Sequence, residues 1–262
     1  MNKAESTNRN IAQTLDPFLT EALPDLCPDL FSVVDRIDPQ SGDHVYAYGA
    51  DATMRTLHAT LPPGVVFHAH GHGFGLVWLE GAHDVASVAH EIAKDAAAFD
   101  QRGCASPRVV ALEPGVEADE LLDALQSAFA DLSASMPVGH LSNDEIADVT
   151  RFRLLAHAVS DRVVESSSSV VALQRESSHV LLPPVGRHLV LISGRDALSR
   201  LAQAKDLITT VAIEDSDAQR RRIRSLFPRA RICGLGRMQR PPFDGPIDLR
   251  TIPRVVRPSP VS

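Results

Sequence analysis

Three groups of residues in this sequence have types and spacings that could do chemistry. Cys104 stands in FDQRGCASP between Gly103 and Ala105, where a tight turn can expose a thiol. An exposed thiolate is a nucleophile, whereas a buried cysteine packs as a small hydrophobe. Cys27, between prolines, and Cys233, in an apolar run, read as structural. His68, His70 and His72 occupy alternate positions of FHAHGHGFG, which on an extended strand would put three imidazoles on one face. Imidazole suits zinc, so a metal-dependent hydrolase is one reading. Downstream, however, His83, His90, His140, His157, His179 and His188 show no paired spacing. The alternative is a histidine-lined cleft in which Gly71, Gly73 and Gly75 allow close backbone approach, and no metal is expected. The third group, Tyr48-Gly49-Ala50-Asp51-Ala52-Thr53, falls at a strand-to-helix junction, where a helix N-terminus offers N–H groups to phosphate. Neither GxGxxG nor GxxxxGK[ST] is present, so an ordinary βα turn capped by Asp51 or Thr53 fits equally well.

The elements that must position these residues follow from apolar spacing. HVYAYG reads as a strand, ADATMRTLHATL as a helix, GVVFHAHG as a second strand and LVWLE as a third, a βαβ beginning. A helix is expected over 82–101, where Val85, Val88, Ala89, Ile92, Ala96 and Phe99 recur at helical spacing. PRVVALEP then reads as a strand and Val116 to Met136 as a helix. Ser142 with Glu145 forms a capping box opening a helix to about Val159. SSSSVVALQ, HVLLPP, HLVLIS, TTVAIE and RARICGLG supply further strand candidates, with helices near Ala197–Lys205 and Asp217–Phe227. Arg220-Arg221-Arg222 reads as a solvated helix face. A short helix around Ile11 to Leu23 belongs to a lead-in, and the proline-rich stretch from Arg240 reads as an extended tail. Alternating strands and helices imply an α/β fold with a mainly parallel sheet and flanking helices.

The 262 residues suffice for one or two domains with a real core. With 44% hydrophobic and 23% charged residues the chain is ordinary for a globular protein, and it contains no run long enough to span a membrane. Lys+Arg 26 against Asp+Glu 33 gives a net charge of -7, which argues against nucleic acid as a partner. Three cysteines and an N-terminus without an apolar signal core point to the cytoplasm.

KDAAAFDQRGCASPRVV and RARICGLGRMQRPPFDG resemble the long-chain acyl-CoA reductase family, whose best-known members are the fatty-acid reductases of bacterial bioluminescence, distant relatives of aldehyde dehydrogenases. The matching positions are Asp100, Gln101, Cys104, Ser106 and Pro107, then Arg231 to Cys233, Gly236 to Gln239 and Asp244-Gly245. The Trp-His that often precedes the final Asp-Gly is missing. The resemblance runs from about His44 to Arg257 and implies an aldehyde-dehydrogenase-like fold with an incomplete cofactor domain. It divides the chain into a lead-in (1–43), a remnant of a nucleotide-binding domain (44–82), a catalytic domain (83–230) and a closing strand and tail (231–262), as in an N-terminally truncated member. It also implies reduction of a fatty acyl-CoA to an aldehyde by NADPH, or NADH, through an acyl-enzyme on Cys104. Backbone N–H groups would stabilise the oxyanion, and a helix end would lower the thiol pKa. Gln101 and His72 are implied to assist catalysis, and Gly49, Ala50, Thr53, Gly71 and Gly73 to bind the cofactor. The alternatives are a non-reducing relative that accepts an acyl group or docks to another subunit, and the metal-dependent hydrolase. Missing strands would favour a homo-oligomer or a partner subunit.

Overall fold

Strand starts, not strand ends, carry the cysteine turn of this protein, and the sheet topology explains how. The computed structural model describes residues 36–81, 84–175, 179–214, 216–242 and 249–251. The expected helix at Ile11 to Leu23, Cys27, His83 and Asp244-Gly245 lie outside the described residues. The chain divides into two compact units, one of residues 1–45 with 60–67 and one of residues 46–59 with 68–262.

β1 (His44–Tyr48), α1 (Asp51–Thr60) and β2 (Val66–His70) form the opening βαβ segment. Val66 N–H donates to Asp43 O and Gly49 N–H to His70 O, so β1 and β2 run in the same direction. The second unit also holds a seven-stranded sheet in the order β5-β6-β7-β4-β3-β8-β9. Its strands are β3 (Phe74–Leu79), β4 (Pro107–Leu112), β5 (Arg162–Glu165), β6 (Val170–Gln174), β7 (His188–Ser193), β8 (Ile208–Ile213) and β9 (Arg231–Gly234). All pair in parallel except β5, which runs antiparallel to β6.

Continuous apolar runs such as LVWL and VVAL suit strands buried on both faces. Period-two alternation sends Val77, Leu79, Val110 and Leu112 to one side, against α2 (Val85–Ala97) and α3 (Ala118–Ser135). Leu76, Trp78, Val109 and Ala111 go to the other. There they meet Phe152 and Ala156 of α4 (Asn143–Val159), Ala197 and Leu198 of α5 (Ala197–Arg200), and Ile223 of α6 (Asp217–Leu226). The capping box of Ser142 and Glu145 opens α4 as its sequence predicts. Among the described residues no helix is long and apolar enough to cross a membrane.

Four elements differ from the sequence expectation. The helix over 82–101 stops at Ala97 and tightens into a 3-10 turn, Ala98–Gln101, in which Phe99, Asp100 and Gln101 take φ of 58°, 46° and 57°. HVLLPP forms no strand. Its two prolines lack N–H donors, and its polar groups pair elsewhere, Leu181 N–H with Gln174 Oε1 and Pro183 O with Arg108. The helix near Ala197–Lys205 shortens to α5 plus a 3-10 turn at Ala202–Ala204. Finally, β5 arises from a four-residue segment too short to show alternation.

Candidate active site

The cysteine turn lies between the 3-10 turn and β4 and is bonded into neighbouring strands. Thr209 Oγ1 donates to Cys104 O (2.6 Å) and Gly75 N–H to Ser106 O (2.7 Å), while Ser106 N–H closes the turn on Gly103 O (3.0 Å). Only glycine fits at position 75, because a Cβ there would stand 2.5 Å from Ala105 O and against the Met238 methyl. β3 changes register with both neighbours at this point, the local irregularity that admits the incoming turn. From the far side Gln239 Nε2 donates to Ser106 Oγ (3.0 Å) and Asp95 O (3.3 Å). Asp95 accepts Met238 N–H at 3.2 Å, and burial pushes its carboxyl pKa up. The Gly236–Gln239 stretch therefore buttresses the cysteine turn, although more than 130 residues separate them in sequence.

Cys104 opens onto a cavity of about 390 Å³ whose wall also includes Tyr48, Gly49, His70, Gly71, His72, Gly73, Arg102 and Arg108. Of the residues singled out in the sequence, the fold brings together Cys104, His72, Gly49, Gly71 and Gly73. Ala50 and Thr53 lie at the start of α1 and are not among the lining residues. Gln101 is fully buried and absent from the wall. Its carboxamide donates to Pro107 O and His188 O (both 2.6 Å) and accepts from Arg187 N–H (3.1 Å) and His188 N–H (2.8 Å). Asp100 pairs with the buried Arg187 at 3.0 Å and accepts Gly139 N–H at 2.8 Å. Both residues hold the turn in place by ties to backbone and to Arg187.

The expected helix end beside the thiol is corrected. The chain approaches Cys104 from a 3-10 turn in which Phe99 and Asp100 leave helical geometry, so this segment offers the thiol no helix N-terminus. Arg102 and Arg108 line the same cavity wall as Cys104, and Arg102 is paired with Glu145 at 3.2 Å and lies 3.7 Å from Asp100. Burial lowers the Arg108 pKa, and its Nη1 is anchored on Pro183 O at 2.6 Å. Neither arginine was singled out in the sequence. Arg108 left one trace, a charge inside the apolar run PRVVAL.

The three-histidine face is also corrected. His68 and His70 are buried and stack on Tyr46 and Tyr48 at 4.2 and 4.4 Å, but β2 ends at His70. His72 lies in the following turn, where its Nδ1 stands 3.2 Å from Asp51 Oδ2. Among the described residues no group of three or more His, Cys, Asp or Glu is placed to hold a metal. Asp51 also accepts His72 N–H (2.8 Å), a bond that lowers its carboxyl pKa. Its carboxylate fills the space a Gly71 side chain would need. This pairing spans 21 residues and has no local sequence signal.

A mostly parallel sheet covered on both faces, with a cysteine turn entering at the strand starts, defines an aldehyde-dehydrogenase-type α/β fold, and solved structures agree. The chain superposes on the NAD-dependent aldehyde dehydrogenase of Burkholderia multivorans with a TM-score of 0.56 and 14% identity, over 80% of this chain and 42% of that one. For the NADP-dependent glyceraldehyde-3-phosphate dehydrogenase of Bacillus halodurans, solved with NADP, the TM-score is 0.54 and the identity 13%, over 74% and 44%. For proline utilization A from Bdellovibrio bacteriovorus they are 0.57 and 12%, over 74% and 23%. The chain thus spans less than half the length of each of these structures. Within that fold, the acyl-CoA reductase (LuxC) family model matches residues 34–255, and the chain belongs to this family. No curated protein matches the sequence.

Proposed function

We propose that this chain takes the acyl group of a fatty acyl-CoA, or another acyl thioester, onto Cys104, as the first half of a reduction to the aldehyde. The observation that carries this reading is that Cys104 lines an open cavity whose wall also includes Arg102 and Arg108. Neighbouring cations favour the thiolate and the negative charge that develops on the acyl oxygen. Sγ attacks the thioester carbonyl, the C–S bond to CoA breaks, and the thiol leaves with the proton. Gln101, Gln239 and Thr209 act as positioning residues, since each fixes backbone or side-chain atoms of the cysteine turn.

What supports a nicotinamide cofactor here is that Gly49, Gly71 and Gly73 put backbone into the wall of the cavity that Cys104 lines, a cavity of about 390 Å³. These glycines would hold the cofactor, and Ala50 and Thr53, at the junction that opens α1, would offer backbone N–H groups to its phosphates. NADPH, or NADH, when bound, supplies the hydride that converts the acyl group to an aldehyde.

The test is intact mass spectrometry after incubation with a fatty acyl-CoA, with and without NADPH, for wild type and Cys104→Ala. The reading expects an acyl adduct on wild type alone, discharged to aldehyde by NADPH. An equal adduct on Cys104→Ala would overturn it, and an adduct that persists with NADPH would leave only acyl acceptance.

A further inference from the structure

We propose that a second cavity, bounded by α6 and β9, takes the 3′-phosphorylated ADP end of coenzyme A; this rests on the reading that Cys104 accepts the acyl group of an acyl-CoA. The cavity measures about 360 Å³ and is lined by Arg220, Arg224 and Arg231 together with the apolar Ile232, Pro242 and Leu249. Among the described residues no carboxylate lines it. The Arg220-Arg221-Arg222 run is thus not one uniform solvated face. Arg222 lies over Trp78, 4.9 Å from the ring centre, and pairs with Glu113 at 3.0 Å. Arg220 and Arg224 stand one helical turn apart and both line the cavity.

Three cations gathered around one space repel one another until an anion enters it. Arg231 sharpens that demand. It is only 8% exposed, its Nη2 donates to Met238 O, its Nε has no hydrogen-bond partner, and no carboxylate pairs with it among the described residues. A buried charge of this kind calls for a counter-ion. Guanidinium forks match phosphate oxygens, and the apolar part of the wall suits the faces of a purine ring. Ribose phosphate, diphosphate and adenine are what one end of coenzyme A presents.

The place is also right for a molecule whose other end must reach Cys104. Arg231 opens β9 and pairs in register with Thr210 of β8, next to Thr209, whose Oγ1 holds Cys104 O. β9 therefore runs about 5 Å from the strand that ties down the cysteine turn. Leu249 belongs to the 3-10 turn Leu249–Thr251, in which Arg250 donates to His72 O (2.6 Å) and Gly71 O (3.3 Å), both on the wall of the Cys104 cavity. One short turn thus borders both cavities, and the thioester arm has only to pass it. NADP carries a related group, a 2′-phosphorylated adenosine, but its phosphates are assigned above to the start of α1.

The experiment compares acylation of Cys104 by octanoyl-CoA and by octanoyl-pantetheine, which lacks the nucleotide, using intact mass spectrometry across thioester concentration. Wild type is expected to half-saturate at a concentration roughly 10-fold or more lower with octanoyl-CoA, since hydrogen bonds to charged groups are each worth about that factor or more. The double variant Arg220→Gln/Arg224→Gln should bring the ratio between the two esters close to one, while Arg221→Gln, outside the cavity, keeps the wild-type ratio. Equal half-saturation in wild type, or a ratio unchanged in the double variant, overturns the proposal and leaves acylation of Cys104 intact. Adenosine 3′,5′-bisphosphate should compete with octanoyl-CoA; stronger competition by adenosine 2′,5′-bisphosphate would hand the cavity to the nicotinamide dinucleotide and overturn its assignment to coenzyme A. Acylation by neither ester overturns the reading of Cys104, and calorimetry with adenosine 3′,5′-bisphosphate then judges the cavity alone. Binding lost in the double variant upholds the nucleotide site, and no binding to wild type overturns it.

Discussion

Gln101 and His188 are bonded to each other twice: Gln101 Nε2 donates to His188 O, and His188 N–H donates to Gln101 Oε1. This reciprocal pair ties the residue three positions before Cys104 to the first residue of β7, 87 positions later in the chain. The carboxamide spends its remaining capacity on Pro107 O and Arg187 N–H, so four backbone groups depend on one side chain.

Gln101→Ala should therefore cost roughly 3 kcal/mol or more, since each buried group left unmatched costs about 1–3 kcal/mol. Gln101→Glu should rescue little, because a carboxylate cannot donate to the two carbonyls. Urea unfolding of both variants reads the loss directly, and midpoints near wild type would refute the tie.

Gly75→Ala should displace the cysteine turn, since the added methyl would stand 2.5 Å from Ala105 O. Overpacking of this kind costs about 1–3 kcal/mol. The expected outcome is a lower thermal midpoint together with slower acylation of Cys104; a variant with wild-type acylation would show that the close approach is unimportant.

Stability should fall in acid through His188. Burial lowers its pKa from 6.5 to about 4, helped by the nearby Arg153 and Arg108 charges. The unfolded chain binds a proton near pH 6.5 while the folded chain refuses it until about pH 4, so the contribution is complete above 6.5 and is lost as pH falls through that window. The shift corresponds to about 3 kcal/mol. Asp95, whose pKa burial raises, acts in the opposite sense, losing stability as pH rises through its folded value. Denaturation of wild type and His188→Gln at pH 7 and pH 4 isolates the histidine, whose removal should flatten the slope.

On the proposed reading, in which the cavity-wall cations favour the thiolate, Arg102→Gln should slow alkylation of Cys104 by iodoacetamide at pH 7. Reactivity should recover as the pH is raised and the thiol ionises unaided. A rate unchanged at pH 7 would leave Arg108 as the sole electrostatic influence.

The sheet was legible in the sequence because its strands are apolar runs buried on both faces, and the helices because Leu121, Leu122, Leu125 and Phe129 share one stripe. Cys104 could be singled out from its turn, and the Gly236–Gln239 stretch through family resemblance. Asp51 with His72, Asp100 with Arg187 and Gln239 with Ser106 were not legible, because each pair is made by tertiary folding across 21, 87 and 133 positions. The three histidines misled because period two holds only while the strand lasts, and β2 ends before His72.

Phe99, Asp100 and Gln101 stand consecutively in left-handed backbone conformation without a glycine among them. Such residues cost of order 1–3 kcal/mol each and persist only where surrounding bonds outweigh the strain. Here those bonds come from Pro107 at the start of β4, His188 at the start of β7, and Arg187 and Gly139. The geometry of the cysteine turn thus belongs to the assembled sheet: a partly denatured chain carries the same thiol but loses the bonds from β4, β7, Arg187 and Gly139 that set its backbone.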